Sequence, residues 1–402
     1  MNRLESLLRA GTARSAVWLD NGEHIAFVRT GESGPRVNEM DLSTGEIRQR
    51  TFGDERIWSI KGHPQTGSIL FCMDKGGNER EQIYLLERDS DTPRDLTGEP
   101  DARHFLAGLT PDGRTLAYAS NARTPETFDL WVCDVTTGEK KMVLENHDHY
   151  NWPAGDALSP NGRYVLYNKL LGTSDNALWM LDLLTGEAVR VPADEKVSAE
   201  VNPTWRHDSA GFFLVTDRDS EYPYVAYYDV AAGAMEKRVA FPWEVDNLAL
   251  SADDRYLAMT VNEDSYLVLR IIDLAAGVEA NFPQPPKGVV SNYDTLSWSP
   301  VGHKLLFSLS SGKRPENIWL LDLDGDSLSP LTRSDLHGLS ADDLCEPRLM
   351  HFTSFDGLEV PFWLYVPRGK EAKDLPVVVE IHGGPEGQEM ASFTPFIQYL
   401  VG

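Results

Sequence analysis

The sequence predicts an all-β chain, a seven-bladed β-propeller, followed by the opening strands of a second, mixed α/β domain. Three observations carry this. A repeat of propeller length recurs seven times. Each copy pairs a tight-turn signal with a short apolar strand. After the last copy the pattern changes to a hairpin and a β-branched run that opens into two glycines.

The clearest copies read as turn, strand, strand, turn. Leu109-Thr-Pro-Asp-Gly113 leads to Leu130-Trp-Val-Cys-Asp134 and a turn at Gly138. Leu158-Ser-Pro-Asn-Gly162 leads to Leu178-Trp-Met-Leu-Asp182 and Gly186. Trp298-Ser-Pro-Val-Gly302 leads to Ile318-Trp-Leu-Leu-Asp322 and Gly325. Degenerate copies start at Trp18, Ile60, Trp205 and Leu250, so successive anchors lie 42 to 49 residues apart. Units of that period, each with about four short strands, are a propeller signature. Pro fixes φ in these turns, Gly tolerates positive φ, and Asp or Asn bonds the local backbone. The strands that follow, such as Thr115–Ala119 and Lys304–Ser308, are largely apolar. Stacked blades bury a central strand on both faces. Trp131, Trp179 and Trp319 are therefore expected in the layers between blades. Blade one counts four strands from Val17 to Thr51, and blade seven runs from Leu296 to Thr332. Neither lends a strand to the other, so packing alone is expected to close the ring.

The ends and connectors follow. Met1 to Arg9 is broken by charges, has no apolar run of leader length, and reads as a short amphipathic helix. The expected boundaries are a helical lead at 1–14, the propeller at 15–333, a polar linker at 334–350 and the second domain from 351 to 402. In the linker Asp335, Asp342, Asp343 and Glu346 stand close together. His351–Phe355 and Leu358–Val366 flank Asp356-Gly357, a two-residue hairpin signal. Pro376-Val-Val-Val-Glu-Ile381 is of the kind buried in a central sheet and runs directly into His382-Gly383-Gly384-Pro385.

A strand ending in Gly-Gly has a chemical use. Adjacent glycines let the backbone turn sharply and aim an N–H at an external atom. In α/β-hydrolases the loop after the third strand supplies an oxyanion N–H in this way. Gly383 and Gly384 are the candidate site residues.

Taken together, the seven repeats, Phe355-Asp-Gly-Leu-Glu-Val-Pro-Phe-Trp-Leu-Tyr-Val-Pro367 and Pro376-Val-Val-Val-Glu-Ile-His-Gly-Gly-Pro385 resemble the prolyl oligopeptidase family of serine peptidases. The similarity is greater to its acylaminoacyl-peptidase and dipeptidyl-aminopeptidase-like branch. Gln388, the stretch from Phe393 to Leu400, and Asp74–Tyr84 also resemble that branch. The resemblance implies an α/β-hydrolase domain, an oxyanion N–H from Gly384, and a propeller that restricts access to short peptides. It also implies a catalytic Ser in a Gly-x-Ser-x-Gly elbow, then Asp and His. No such elbow occurs here, no His follows His382, and the only later Ser is Ser392. The 52 residues from His351 are too few for a hydrolase domain. The sequence is thus expected to hold the propeller and the start of a truncated hydrolase domain, inactive alone.

Composition bounds the partners. Asp plus Glu number 62 against 37 Lys plus Arg, a formal charge of −25, which disfavours nucleic acid and anionic membranes. No run approaches the roughly 18 apolar residues of a membrane span. Cys72, Cys133 and Cys345 are too few and odd in number for a disulfide framework, which fits a cytoplasmic protein. No phosphate-binding glycine loop or zinc spacing occurs, so no cofactor and no metal are expected. Short peptides are the expected partners, and the oligomeric state is open.

Weaker features have plainer readings. Gly325-Asp-Ser-Leu328 sits where the repeat expects a turn, which argues against a catalytic Ser327. His147-Asp-His149 lacks a third ligand nearby. Glu79, Arg80 and Glu81 could face peptide termini, but a salt bridge within the blade is the plainer reading. A non-catalytic propeller binding module and a related acyl esterase are the alternatives to a peptidase.

Overall fold

A computed structural model describes every residue except 1, 32–33, 54, 148–149, 173–174, 292–293, 295 and 385–386. Among the described residues the repeat folds into seven antiparallel blades, at 12–49, 57–95, 104–144, 150–191, 200–239, 244–279 and 289–330. Strand order within each blade follows the chain from the inner strand outwards. Blade seven begins earlier than Leu296. Its inner strand is split, and both Val289–Val290 and Ser297–Trp298 pair with Lys304–Ser311. The pairing of 289–290 was not readable, because two residues are too short to show a period. Inner strands of the other blades carry a register shift against their neighbours, as at Arg14/Val17 and Val201/Thr204. Such bulges bend the strand and raise its twist.

The turns explain the repeat. In blade four the Ser159 hydroxyl donates to Asn161 Oδ1 at 2.8 Å and accepts from the Tyr164 N–H at 2.8 Å. Ser251 with Asp253 and Tyr256, and Thr110 with Asp112 and Thr115, repeat this arrangement. Gly113 and Gly162 have φ of 71° and 70°, the left-handed region that favours glycine. The arginine after the left-handed residue (Gly113, Gly162 or, in blade six, Asp254) pairs with the Asp that ends the third strand: Arg114 with Asp134 at 2.8 Å, Arg163 with Asp182 at 2.6 Å, Arg255 with Asp273 at 2.9 Å. The other oxygen of Asp134 caps the next turn, accepting from the N–H groups of Thr136 and Thr137.

Adjacent blades are latched by tryptophan. The indole of Trp205 donates to the carbonyl of Ala157 in blade four, and that of Trp298 to Ala249 in blade six. At the ring closure Trp18 of blade one donates to Ser297 of blade seven at 2.9 Å. In each case the acceptor precedes the neighbouring blade's anchor residue. The closure therefore repeats an internal junction, with no exchanged strand. One core cluster spans it, including Ala13, Trp18, Phe27, Leu306 and Ile318. Trp131, Trp179 and Trp319 pack half-buried against the blade cores, as expected.

Outside the ring the structure departs from the sequence reading. The lead is shorter than 1–14. Its helix, Arg3–Arg9, is capped by the Asn2 side chain, and Thr12 already lies in the first inner strand. Within the linker Ala341–Asp343 forms a single 3-10 turn, and Arg348 already belongs to a strand. Arg348–Thr353 pairs with Glu359–Leu364 as the hairpin. Its loop is longer than the Asp-Gly pair. Gly357 donates to Ser354 O, Ser354 donates to Leu358 O, and Gly357 has φ 90°. That is a three-residue loop with glycine in the left-handed position.

The α/β-hydrolase expectation needs correction. Pro376–Ile381 forms no strand, and Val377 and Ile381 are 82% and 83% exposed. A central strand exists only through ladders with neighbours on both sides, and none of the described residues supplies them. Only two α-helices occur among the described residues, Arg3–Arg9 and Pro395–Leu400.

Candidate functional site

Alternation of strand direction sorts the loops onto two faces. The Asp-Gly turns, and the turns after each third strand, lie on one face. Loops between second and third strands, and the links between blades, lie on the other. The chain from Gly387 onwards docks on this second face. Gln388 joins it to the loop of blade six: its Oε1 accepts from Asn262 Nδ2 at 2.7 Å and its Nε2 donates to Ser265 Oγ at 2.6 Å. Phe393 N–H donates to Ser310 Oγ of blade seven at 3.0 Å. Trp363 of the hairpin donates to Glu389 O and meets Tyr266 edge-on. Ala391 is buried against Leu267 and Val289.

The last turn of chain is pinned by one buried amide. Gln398 Nε2 donates to the carbonyls of Gly312 and Cys345, each at 2.8 Å, and its Oε1 accepts from Cys345 N–H at 2.8 Å. Arg3 of the N-terminal helix donates to Asp343 O at 2.9 Å and to Gln398 O at 3.4 Å, which ties that helix to the last turn.

Between the docked segment and the ring lies a cleft of about 790 Å³. Its floor comes from blades five and six, and Pro361, Gly387, Gln388 and Met390 form the opposite wall. Asp217, Glu244, Asp246 and Asp264 line it together with Tyr222 and Trp243. Burial, with Glu244 beside it, raises the Asp246 carboxyl above the usual range.

Gly383 and Gly384 do not line this cleft; they precede Gly387, which does. Both are exposed. Gly384 has φ 64°, and its carbonyl accepts from Gly387 N–H at 3.1 Å. Its own N–H meets no acceptor among the described residues, and nothing lies within 4 Å of where a Cβ would stand.

The other sequence candidates separate from the cleft. Glu81 is buried and paired with Arg103 at 2.8 Å, and Arg80 pairs with Asp101 at 2.7 Å. These are bridges within the fold. Ser327 opens the outer strand Ser327–Pro330 of blade seven and does not line the cleft. Asp148 and His149 lie outside the described residues; His147 sits 3.6 Å from Glu145. The three cysteines are free and buried. Sequence reasoning missed the cleft acids and Trp243. They fall in loops of unequal length between repeats, where no period marks them.

Ring, docked hairpin and cleft define a seven-bladed propeller that carries further chain on one face. Residues 56–334 match the family described as prolyl oligopeptidase, N-terminal beta-propeller domain, and the chain belongs to the prolyl oligopeptidase family. In sequence it is 25% identical over 91 residues to dipeptidyl aminopeptidase BIII of Pseudoxanthomonas mexicana, a match covering 22% of this chain and 13% of that protein. In structure it is similar to a puromycin hydrolase, with TM-score 0.78 and 18% identity, covering 100% of this chain and 66% of that one. It is also similar to prolyl oligopeptidase B from Galerina marginata, with TM-score 0.70 and 15% identity, covering 92% of this chain and 58% of that one. At these identities the structural likeness speaks for the fold. The chain thus spans less than two thirds of the proteins it matches.

Proposed function

We propose that this chain is the substrate-admitting part of a cytoplasmic serine-type peptidase that cleaves short peptides by acyl transfer. The observation that carries the reading is the cleft of about 790 Å³ between blades five and six and the chain that follows Gly384. A space of that size suits a few residues of extended peptide. Gly387 of its wall takes no part in the chemistry itself, but its N–H donates to Gly384 O, and the Gly384 N–H meets no acceptor among the described residues.

In this reading the propeller gates access and the peptide lies in the cleft with its scissile carbonyl near Gly384. A serine hydroxyl attacks that carbonyl, and the oxygen gains negative charge. The Gly384 N–H, with Gly383 permitting the turn, donates to that oxygen. One such donor contributes about 3 kcal/mol to the transition state. The nucleophile, acid and base lie outside these 402 residues, so this chain alone turns over nothing. The Pro376–Ile381 run becomes a central strand only when the rest of the hydrolase sheet is present.

The test compares two proteins on aminoacyl-arylamide, peptide and acyl-ester substrates. The 402-residue chain is expected to be inert. The chain extended by its downstream sequence is expected to cleave peptides, with sensitivity to a serine-directed inhibitor. Inhibitor-sensitive turnover by the short chain would overturn the assignment of the triad. An extended chain that cleaves esters and no peptides would replace peptidase by esterase.

A further inference from the structure

On the face opposite the cleft, the first turn of blade six is clasped from both sides. From blade five, Arg206 Nε lies 3.2 Å from Asp254 Oδ2, and His207 Nδ1 lies 2.7 Å from Asp254 Oδ1. From blade seven, His303 reaches across. Its Nε2 stands 3.1 Å from Asp253 Oδ2, and its Nδ1 stands 2.8 Å from Asp324 Oδ1, a carboxylate of its own blade. A neutral imidazole carries one N–H, so it can donate to one carboxylate only and turns a lone pair towards the other. Only the imidazolium donates to both. The far oxygens of the two acids are held by their own turns. Asp253 Oδ1 accepts from the Ser251 hydroxyl at 2.7 Å, and Asp324 Oδ2 accepts from the His303 N–H at 3.1 Å.

The surrounding groups leave His303 as the charge that can change. Arg255 lies near both acids, but its guanidinium is bound to Asp273 at 2.9 Å. Tyr256 meets the imidazole edge-on, with ring centroids 4.8 Å apart. Partial burial by itself would lower the imidazole's pKa; hydrogen bonds with Asp324 and Asp253 outweigh it, and the net shift is upwards. His303 in turn holds the Asp324 carboxyl below its ordinary range. Partial burial opposes this at Asp253, yet the Ser251 hydroxyl, His303 and the Arg255 N–H hold that carboxyl at about 2. A histidine whose pKa is raised on folding stabilises fully below its ordinary value of 6.5, and that contribution is lost as pH rises through the higher folded value. The two acids act in the other direction, contributing above their ordinary value of 3.8 and losing it on acidification.

Blades six and seven are joined on the cleft face too. There Gln388 holds Asn262 and Ser265 of blade six, and Phe393 holds Ser310 of blade seven. Between the two faces the Trp298 indole donates to Ala249 O at 3.0 Å. We propose that His303 is a pH-sensitive latch between blades six and seven: protonated, it clamps Asp253 to Asp324, and deprotonated, it leaves two carboxylates without the cation between them, so that the junction opens more often. Like charges around a neutral ring repel each other. The contact with blade five does not switch in this range, because Arg206 keeps its charge.

Two measurements on the 402-residue chain test the latch. The first is a proton NMR titration of the His303 Cε1–H, assigned by its loss in His303→Gln. It is expected to give a pKa above 6.5 that falls in Asp253→Asn. A value at or below 6.5 in the parent would overturn the latch, whatever the variants do. The second is hydrogen exchange of the Trp298 indole N–H in parent and His303→Gln, compared at the same pH so that other titrating groups cancel. At pH 6 the variant is expected to exchange about fivefold faster, the scale of a largely exposed charge pair. At pH 9 the two are expected to agree. His303→Arg, a cation that does not titrate, should exchange more slowly than the parent at pH 9. The Trp205 indole, at the junction of blades four and five, should be unaffected by either change, and circular dichroism checks the fold. A variant-to-parent ratio equal at both pH values would reduce His303 to a fixed contact and overturn the switch. Equal acceleration at Trp205 would place the effect in the whole ring and overturn the junction assignment.

Discussion

Two glutamates, Glu200 buried and Glu316 half-buried, set a pH dependence at the scale of single residues. Burial pushes the Glu316 carboxyl up to about 7, with Asp294 adding to the effect and the Ser308 hydroxyl, 2.6 Å away, opposing it. Glu200 is raised to about 7 by burial as well, and its Oε2 has no partner among the described residues. A carboxyl whose pKa is higher folded than unfolded binds its proton more tightly in the native state. Its contribution is complete below the unfolded value near 4.5 and is lost as pH rises through about 7. Glu316→Gln is therefore expected to raise the urea midpoint relative to the parent at pH 8, with the gain vanishing by pH 4. A gain that does not vary with pH would contradict the buried-carboxyl account. Gln398 offers a second test. Gln398→Leu leaves the Cys345 N–H and the Gly312 and Cys345 carbonyls without their buried partner, at roughly 1–3 kcal/mol for the site. Amide exchange at Cys345 should quicken while exchange in blades two to five stays unchanged. None of these roles was legible beforehand. Glu316, Glu200 and Gln398 look like ordinary surface residues until distant strands enclose them.

The strand-and-turn unit is the scale at which the sequence spoke most clearly. Ser/Thr, Pro, Asp/Asn and Gly occur in that order because each supplies one part of the turn, a hydroxyl bridge, a fixed φ, a backbone acceptor and a left-handed position. Ser159→Ala would remove both bonds of that hydroxyl and is expected to cost about 1–2 kcal/mol by urea denaturation. An effect under a few tenths would mean the turn is held by strand pairing alone. The same logic misjudged Pro376–Ile381. Its β-branched composition does suit a buried strand, but composition states a preference and ladders decide the outcome. Left exposed, this run is an edge-like, low-charge apolar segment. Val378→Lys is therefore expected to lower self-association of the 402-residue chain in light scattering, without moving the thermal midpoint. Unchanged self-association would mean that some other surface mediates it.

For the whole molecule the closure of the ring is the decisive feature. Trp18, Trp205 and Trp298 make one kind of contact at three junctions, and only the first joins the chain's beginning to its last blade. If the seam is a junction like the others, Trp18→Phe, Trp205→Phe and Trp298→Phe should each cost a similar amount, about 1–2 kcal/mol. A much larger loss for Trp18→Phe would show that the seam carries more of the ring's cooperativity than an internal junction. The cleft also belongs to this scale. It needs blades five and six, the hairpin and the chain after Gly384 in place at once. Its acids are scattered from Asp217 to Asp264 in sequence and converge only through the curvature of the ring.

The sequence by itself determined the repeat, the number of blades, the turn chemistry and the glycine turn at Gly383-Gly384. These depend on neighbours within a few residues, and local sterics and hydrogen bonding act over that range. Tertiary structure alone decided the split inner strand of blade seven, the burial of Glu316 and Gln398, the unpaired state of Pro376–Ile381 and the acidic, aromatic cleft. Each of these depends on which distant segments meet, and proximity across a closed ring leaves no periodic mark along the chain.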